Sequence, residues 1–246
     1  MFVPMNDITT THEKPRIYVL AAHPHWRDSR VNRQLMEVAR SLPDVNVDVN
    51  DLYSSYPDYA IDVEAEQTRA ATADLIVLLH PIQWYSMPPL QKLWLDEVLA
   101  WGWAYGPDGN ALRGKDCWLV ATTGGPESSY HPQSYNRYFF DAFLPPYEQT
   151  AALCGLRFLP PLLFHGARSA RREDLAAHVE VFRQRLASYP HWPEMDELDA
   201  CPTCVVPQTD RPAEPDDFAK VQAAAFKGAI KDAFARSTAG SDTEAA

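Results

Sequence analysis

The chain has 246 residues, 46% hydrophobic and 22% charged, with a formal net charge of −11. With no long Lys/Arg cluster to neutralise phosphates, it argues against a nucleic-acid binder and against adsorption to an anionic bilayer. No apolar run approaches the roughly 20 residues a membrane span needs, and the four cysteines, two of them isolated, make no disulfide framework, so the cytoplasm is the expected compartment.

Residues 1–15 lack an apolar h-region and are expected to form a flexible leader rather than a signal peptide. RIYVLAAHP, Arg16 to Pro24, is a short apolar strand ending in His-Pro. In VNRQLMEVARSL the residues Val31, Leu35, Met36, Val38, Ala39 and Leu42 fall at the spacing of an amphipathic helix. VNVDVNDLY, Val45 to Tyr53, alternates apolar and polar, which predicts a strand covered on one face near a sheet edge. VEAEQTRAATA is a short helix, and DLIVLLHP is the continuous apolar strand expected at the centre of a parallel sheet. PPLQKLWLDEVLAWG has Pro at its start and Gly at its end, the usual asymmetry of a helix. KDCWLVATTGG, Lys115 to Gly125, is a fourth strand, apolar until a polar, glycine-bearing end. After a long irregular insert, RFLPPLLFHG, Arg157 to Gly166, is a fifth, with Pro160 and Pro161 at a bend or edge. REDLAAHVEVFRQRLASY closes the domain as a helix.

Strand and helix patterns alternate five times, which predicts an α/β domain over residues 16–190: a five-stranded parallel sheet with helices on both faces. Residues 191–246 are expected to be an acidic, Pro-rich linker carrying Cys201-Pro-Thr-Cys204, then a short C-terminal helix. In such sheets ligands sit outside the carboxyl ends of the strands. The unusual residues occur there: His23 and Ser29 after the first strand, Gln83 to Tyr85 after the third, Thr122 to Gly125 after the fourth. These three loops are expected to converge.

Each loop offers a different chemistry. Ser29 is placed to cap the first helix, leaving the N–H groups of Arg30, Val31 and Asn32 and the ring of His23 to face an anion. An N-cap with an incidental histidine is the alternative, and neither a G-x-G-x-x-G nor a Walker lysine is present. In TTGG, glycines allow a ligand to lie against bare backbone while Thr122 and Thr123 add hydroxyls; a loop requiring positive φ is the other explanation. HPIQWYSMPP sets Gln83, Trp84 and Tyr85 where a planar group would find an aromatic neighbour and edge hydrogen bonds, unless the indole simply packs in the core.

Taken together, His23-Pro24 with Ser29 and Asn32, then HPIQWYSMPPLQKLWLDEVLAWGWAYG, LRGK and TTGG, resemble the flavodoxin-fold NAD(P)H:quinone oxidoreductase family over residues 16 to 190. Within that family the chain is most similar to the ancillary subunits of glutathione-regulated potassium efflux systems. The resemblance implies a flavodoxin-like fold and FMN or FAD bound non-covalently. The flavin phosphate would lie on His23 and Ser29 to Asn32, and the ring on Ile82, Gln83, Trp84, Tyr85 and Thr122, Thr123, Gly124, Gly125. It implies NADH or NADPH as co-substrate, a quinone as acceptor, a homodimer with the flavin at the interface, and docking on a membrane potassium efflux antiporter.

By the same resemblance Tyr130 and His165 are candidate catalytic residues. A surface-loop tyrosine and a satisfied strand-end histidine are the alternatives. The aromatic insert SSYHPQSYNRYFFDAF is expected to line the pocket or the dimer contact. CPTC reads as two free thiols in a linker, with half a zinc site or a redox dithiol as alternatives, and no metal site is expected. A one-electron carrier ranks last, because HPHWRDSRVN is not a Thr/Ser-rich phosphate loop.

Overall fold

The computed structural model describes residues 14–195. Five strands alternate with helices in the order β1 (Arg16–Ala21), α1 (Val31–Ser41), β2 (Asn46–Asp51), α2 (Leu52–Ser55), α3 (Val63–Thr72), β3 (Leu75–Pro81), α4 (Pro89–Val98), β4 (Asp116–Thr122), α5 (Pro145–Leu153), β5 (Arg157–Phe164) and α6 (Arg172–Ser188). All neighbouring strands are parallel, in the order β2-β1-β3-β4-β5, the winding of a flavodoxin-like sheet.

Alternation along each strand builds two cores. Tyr18, Leu20, Ile76, Leu78, Cys117 and Leu119 point to the face covered by α2 to α5, where Leu52, Ala70, Leu90, Trp94 and Tyr147 meet them. Ile17, Val19, Val77, Trp118 and Val120 point the other way, against Leu35 and Met36 of α1 and Phe182 and Leu186 of α6. Packing on that second face continues past α6 to Trp192, edge-on to Trp118 at 4.8 Å, and to Met195. Burying both faces of β1, β3 and β4 is what makes their sequences almost uniformly apolar.

The sheet explains the proline pair. In β5 two residues, Pro160 and Pro161, stand opposite the single Leu119 between the pairs Trp118–Leu159 and Val120–Leu162. This is a bulge on an edge strand, where a missing N–H does no harm.

One buried carboxylate gathers several polar groups on the first face. Glu66 of α3 is fully buried and accepts from Asn50 (2.8 Å), Tyr56 (2.6 Å), Trp94 (2.7 Å) and Tyr18, with Arg69 at 3.5 Å. A buried charge survives only with such pairing. It ties α3 and α4 to β1 and β2.

Three elements differ from the sequence expectation. The second strand stops at Asp51, not Tyr53, because the Asp51 carboxylate caps α2 through Ser54 N and Ser54 Oγ. Helix α4 ends at Val98 rather than at Gly102, whose φ of +78° belongs to the following turn. The insert contains α5, which periodicity did not reveal since PPYEQTAAL buries only Tyr147 and Ala151. The leader through residue 13, Cys201 to Cys204 and the expected C-terminal helix lie outside the described residues. Among the described residues, Cys117 and Cys154 are buried and free, and no helix is long and apolar enough to cross a membrane.

Candidate functional site

The carboxyl ends of β1, β3 and β4 meet at one rim, held by backbone and side-chain bonds between segments far apart in the chain. Asn32 Nδ2 at the start of α1 donates to Thr122 Oγ1 at the end of β4, 3.1 Å away. Ile82 N, just past β3, donates to Thr122 O at 2.7 Å. Thr123 N donates to Phe164 O at 2.9 Å, and Gly166 and Ala167 return N–H bonds to Gly125 O and Thr123 O. The three loops expected to converge therefore share Thr122 as a hub, with the end of β5 as a fourth wall.

The first loop has the makings of an anion site. Ser29 is buried, and its Oγ accepts from Arg33 N at 3.2 Å, capping the helix from one residue ahead of Arg30, which occupies the N-cap position. The N–H groups of Arg30, Val31 and Asn32, at the helix start, have no carbonyl a turn below them to bond. His23 Nδ1 accepts His25 N–H at 3.1 Å, so in the neutral ring the proton sits on Nε2, a free donor. Partial burial, with His25 close by, lowers the His23 pKa and keeps that ring neutral at pH 7. Asn32 Oδ1 is buried without a protein partner among the described residues, the kind of orphan that marks a bound group or water.

The second loop is bare backbone by design. Neither Gly124 nor Gly125 has positive φ, so chain conformation does not require glycine at either position. A Cβ on Gly124 would meet only the Arg168 side chain, at 3.4 Å. On Gly125 it would crowd Tyr135 Oη at 2.6 Å and Ser129 Oγ at 2.9 Å. At Gly124 glycine provides access for something to lie against the backbone, and at Gly125 it makes room for the Tyr135 and Ser129 hydroxyls.

In the third loop, Gln83 and Ser86 exchange both N–H···O bonds at 3.0 Å around Trp84 and Tyr85, which have φ of +48° and +65°. This is a hairpin turn of the type that normally takes Asn-Gly, filled by two aromatics. Left-handed backbone at such residues costs of order 1–3 kcal/mol each and marks functional segments. Trp84 is 95% exposed, so core packing does not explain the indole. Of the four large side chains in HPIQWYSMPP, His80 turns inward: it is fully buried, bonded to Pro81 O and stacked on Tyr147.

Tyr130 and His165 come together beside TTGG. Their rings lie 5.3 Å apart, and Tyr130 is buried rather than on a surface loop. Thr123 Oγ1 donates to Gly125 O at 2.8 Å and so accepts the Nδ1–H of His165 at 3.0 Å, leaving His165 Nε2 with a lone pair. Burial lowers the His165 pKa, against the pull of Glu127, and raises that of Tyr130. At pH 7 the pair is a neutral imidazole and an un-ionised phenol.

The insert clamps the rim. Tyr85 stacks on Phe143 at 5.1 Å and donates to Asn136 Oδ1, whose Nδ2 donates to Ser129 Oγ. Tyr135, Tyr138 and Phe139 remain exposed beside it. Sequence reasoning expected the insert to line the pocket or the dimer contact without singling out Ser129 or Asn136 in it, and missed Arg168. For Arg168 the signal was the basic run ARSARR directly after His165-Gly166.

Comparison with known proteins places this geometry. The family described as flavodoxin-like fold matches residues 15–186. A curated relative from Citrobacter koseri, the glutathione-regulated potassium-efflux system ancillary protein KefF, is 45% identical over 173 residues, covering 70% of this chain and 96% of its own. General stress protein 14 of Treponema denticola, solved in complex with FMN, is 35% identical with a TM-score of 0.66, covering 71% of this chain and 99% of its own. A chain described as a thermophilic tryptophan halogenase from Streptomycin violaceusniger is 41% identical with a TM-score of 0.65, covering 68% and 96%. More distant chains, at 23% identity or less, bear NAD(P)H-quinone reductase and azoreductase names and speak for the fold alone. Relatives with names this different share a scaffold, and activity has to be argued from the site.

Proposed function

The chain belongs to the flavodoxin-like family, and we propose that it is a flavin-dependent NAD(P)H:quinone oxidoreductase. The observation that carries the reading is the junction of three loops at Thr122, which joins an anion-binding helix start to a bare-backbone ledge and an aromatic turn. A phosphate-tethered planar ring, FMN or FAD held non-covalently, satisfies all three at once, and a relative with 35% identity was solved with FMN.

When bound, the flavin supplies two-electron chemistry, taking hydride from NADH or NADPH and passing the electrons to a quinone. The chain's own residues hold, orient and balance charge. His23 Nε2–H and the N–H groups of Arg30, Val31 and Asn32 bind the phosphate. Ile82, Gln83, Trp84 and Tyr85 hold one edge of the ring. Thr122, Thr123, Gly124 and Gly125 would hold the other, with the N–H groups of Gly124 and Gly125 left to serve its N1/C2 side, since Thr123 N–H is bonded to Phe164 O. Tyr130 presents a neutral O–H donor to substrate, and His165, oriented by Thr123, accepts or returns a proton through Nε2.

A homodimer completes the site in this reading, with the exposed Trp84, Tyr135, Tyr138 and Phe139 as the apolar face awaiting a second copy. The identity to KefF favours a second, compatible role: an ancillary subunit docked on the cytoplasmic face of a potassium efflux antiporter.

Purification tests the first reading. The expected protein is yellow with oxidised flavin, and shows parallel-line kinetics with menadione and a reduced nicotinamide. A colourless protein that takes up neither FMN nor FAD would overturn it. Co-purification with a potassium efflux antiporter of the same organism tests the second, and failure to associate removes it.

A further inference from the structure

We propose that Arg168 faces the electron-rich edge of the bound ring and holds the reduced cofactor more tightly than the oxidised one, so setting its reduction potential. The inference rests on the flavin reading above and goes beyond it in naming a residue that sets how readily the cofactor gives up electrons.

Three observations carry it. First, the heavy atoms nearest to a Cβ built on Gly124 all belong to Arg168: Nε at 3.4 Å, Cδ and Cζ at 3.9 Å. The guanidinium thus lies along the TTGG ledge. Second, the segment bearing it is braced from both sides. Gly166 N and Ala167 N bond to Gly125 O and Thr123 O, at 2.8 and 2.9 Å. The Arg30 guanidinium donates to Arg168 O at 3.2 Å and to Ala170 O at 3.0 Å. Third, among the described residues no carboxylate forms a salt bridge with Arg168, whereas neighbouring Arg171 pairs with Asp174. In a chain of net charge −11, an uncompensated cation on a braced backbone segment beside a ligand ledge is out of the ordinary.

The chemistry needs such a charge. Hydride brings two electrons and one proton, so oxidised ring plus NAD(P)H gives NAD(P)⁺ and a reduced ring carrying one negative charge, unless a second proton follows. That charge resides at the N1/C2 side, the side assigned to Gly124 and Gly125. A cation there binds the reduced form preferentially, and differential binding is what shifts an equilibrium. Arg30 does not fill the role, because its guanidinium is committed to two carbonyls. Glu127, the acid nearest His165 in electrostatic effect, works in the opposite direction.

The test is a redox titration of the flavin-loaded protein, with binding of oxidised flavin measured separately. Arg168→Gln is expected to weaken binding of reduced relative to oxidised flavin about tenfold, a fall of about 30 mV in the two-electron potential. Arg168→Lys should recover most of the loss. Arg183→Gln removes a charge of the same sign far along α6, where it pairs with Glu180, and should change nothing. A loaded Arg168→Gln protein with wild-type potential overturns the inference while leaving the flavin reading intact. So does equal weakening of both redox states, or a loss confined to FAD or NADPH, which would make Arg168 a phosphate contact. Wild-type protein that takes up no flavin sinks the parent reading and this one with it.

Discussion

Asn32 and Thr122, 90 residues apart in the chain, are joined by a 3.1 Å hydrogen bond from amide to hydroxyl, both buried. The bond fastens the start of α1 to the end of β4. Asn32→Ala leaves a buried hydroxyl without its donor, at a cost of about 1–2 kcal/mol. The expected outcome is a modest loss in urea stability and a tenfold or larger rise in flavin Kd, read by fluorescence quenching. Unchanged affinity would mean the helix start does not hold the phosphate.

Gly124 and Gly125 should respond differently to the same substitution. Gly124→Ala adds a methyl that touches only a flexible arginine, so stability should stay within about 0.5 kcal/mol of wild type. Flavin retention should nonetheless fall sharply, and Gly124→Val should abolish it. Gly125→Ala collides with Tyr135 Oη and Ser129 Oγ and should lower the Tm by itself. Thermal melts with and without added flavin separate the two, and full flavin binding by Gly124→Val would show the ledge to be misplaced.

Trp84 sits in left-handed backbone and makes little contact with its own chain. Replacing it by Asn, which tolerates that conformation, should therefore stabilise the isolated chain, by roughly 1 kcal/mol. Quinone reduction should drop at the same time. A variant less stable than wild type in dilute solution, where a dimer is dissociated, would show that the indole supports the fold rather than the site.

Acid should destabilise the protein through His80. Full burial pushes its pKa down to about 4, from an ordinary value of 6.5. As pH falls below 6.5 the unfolded chain takes up the proton first, so stability present above that value is lost progressively toward pH 4. The loss amounts to about 3 kcal/mol from this group. His80→Leu should flatten the profile between pH 6.5 and 4 in urea titrations, at some cost in stability at pH 7 where Pro81 O loses its donor. An equally steep slope in the variant would assign the acid sensitivity elsewhere, with half-buried His178, its pKa also pushed down to about 4, next in line.

Much of this molecule was legible before any coordinates. Apolar runs such as ADLIVLL, ending abruptly in polar or glycine-bearing segments, marked both the strands and the loops at their carboxyl ends, because a strand buried on two faces has no freedom to be polar until it leaves the sheet. The exposed aromatics and the bare glycines were likewise visible as residue types that a turn does not need. Contacts made across the chain were not visible. Periodicity reports how each segment meets solvent, and is silent on which distant segment it meets. Only the folded sheet, in its 2-1-3-4-5 order, brought Asn32 to Thr122, turned His80 inward and Trp84 outward, and laid Arg168 along Gly124. The helix α5 stayed hidden for a related reason: with two buried side chains in nine residues, it takes its place from the crossover between β4 and β5 rather than from a pattern of its own.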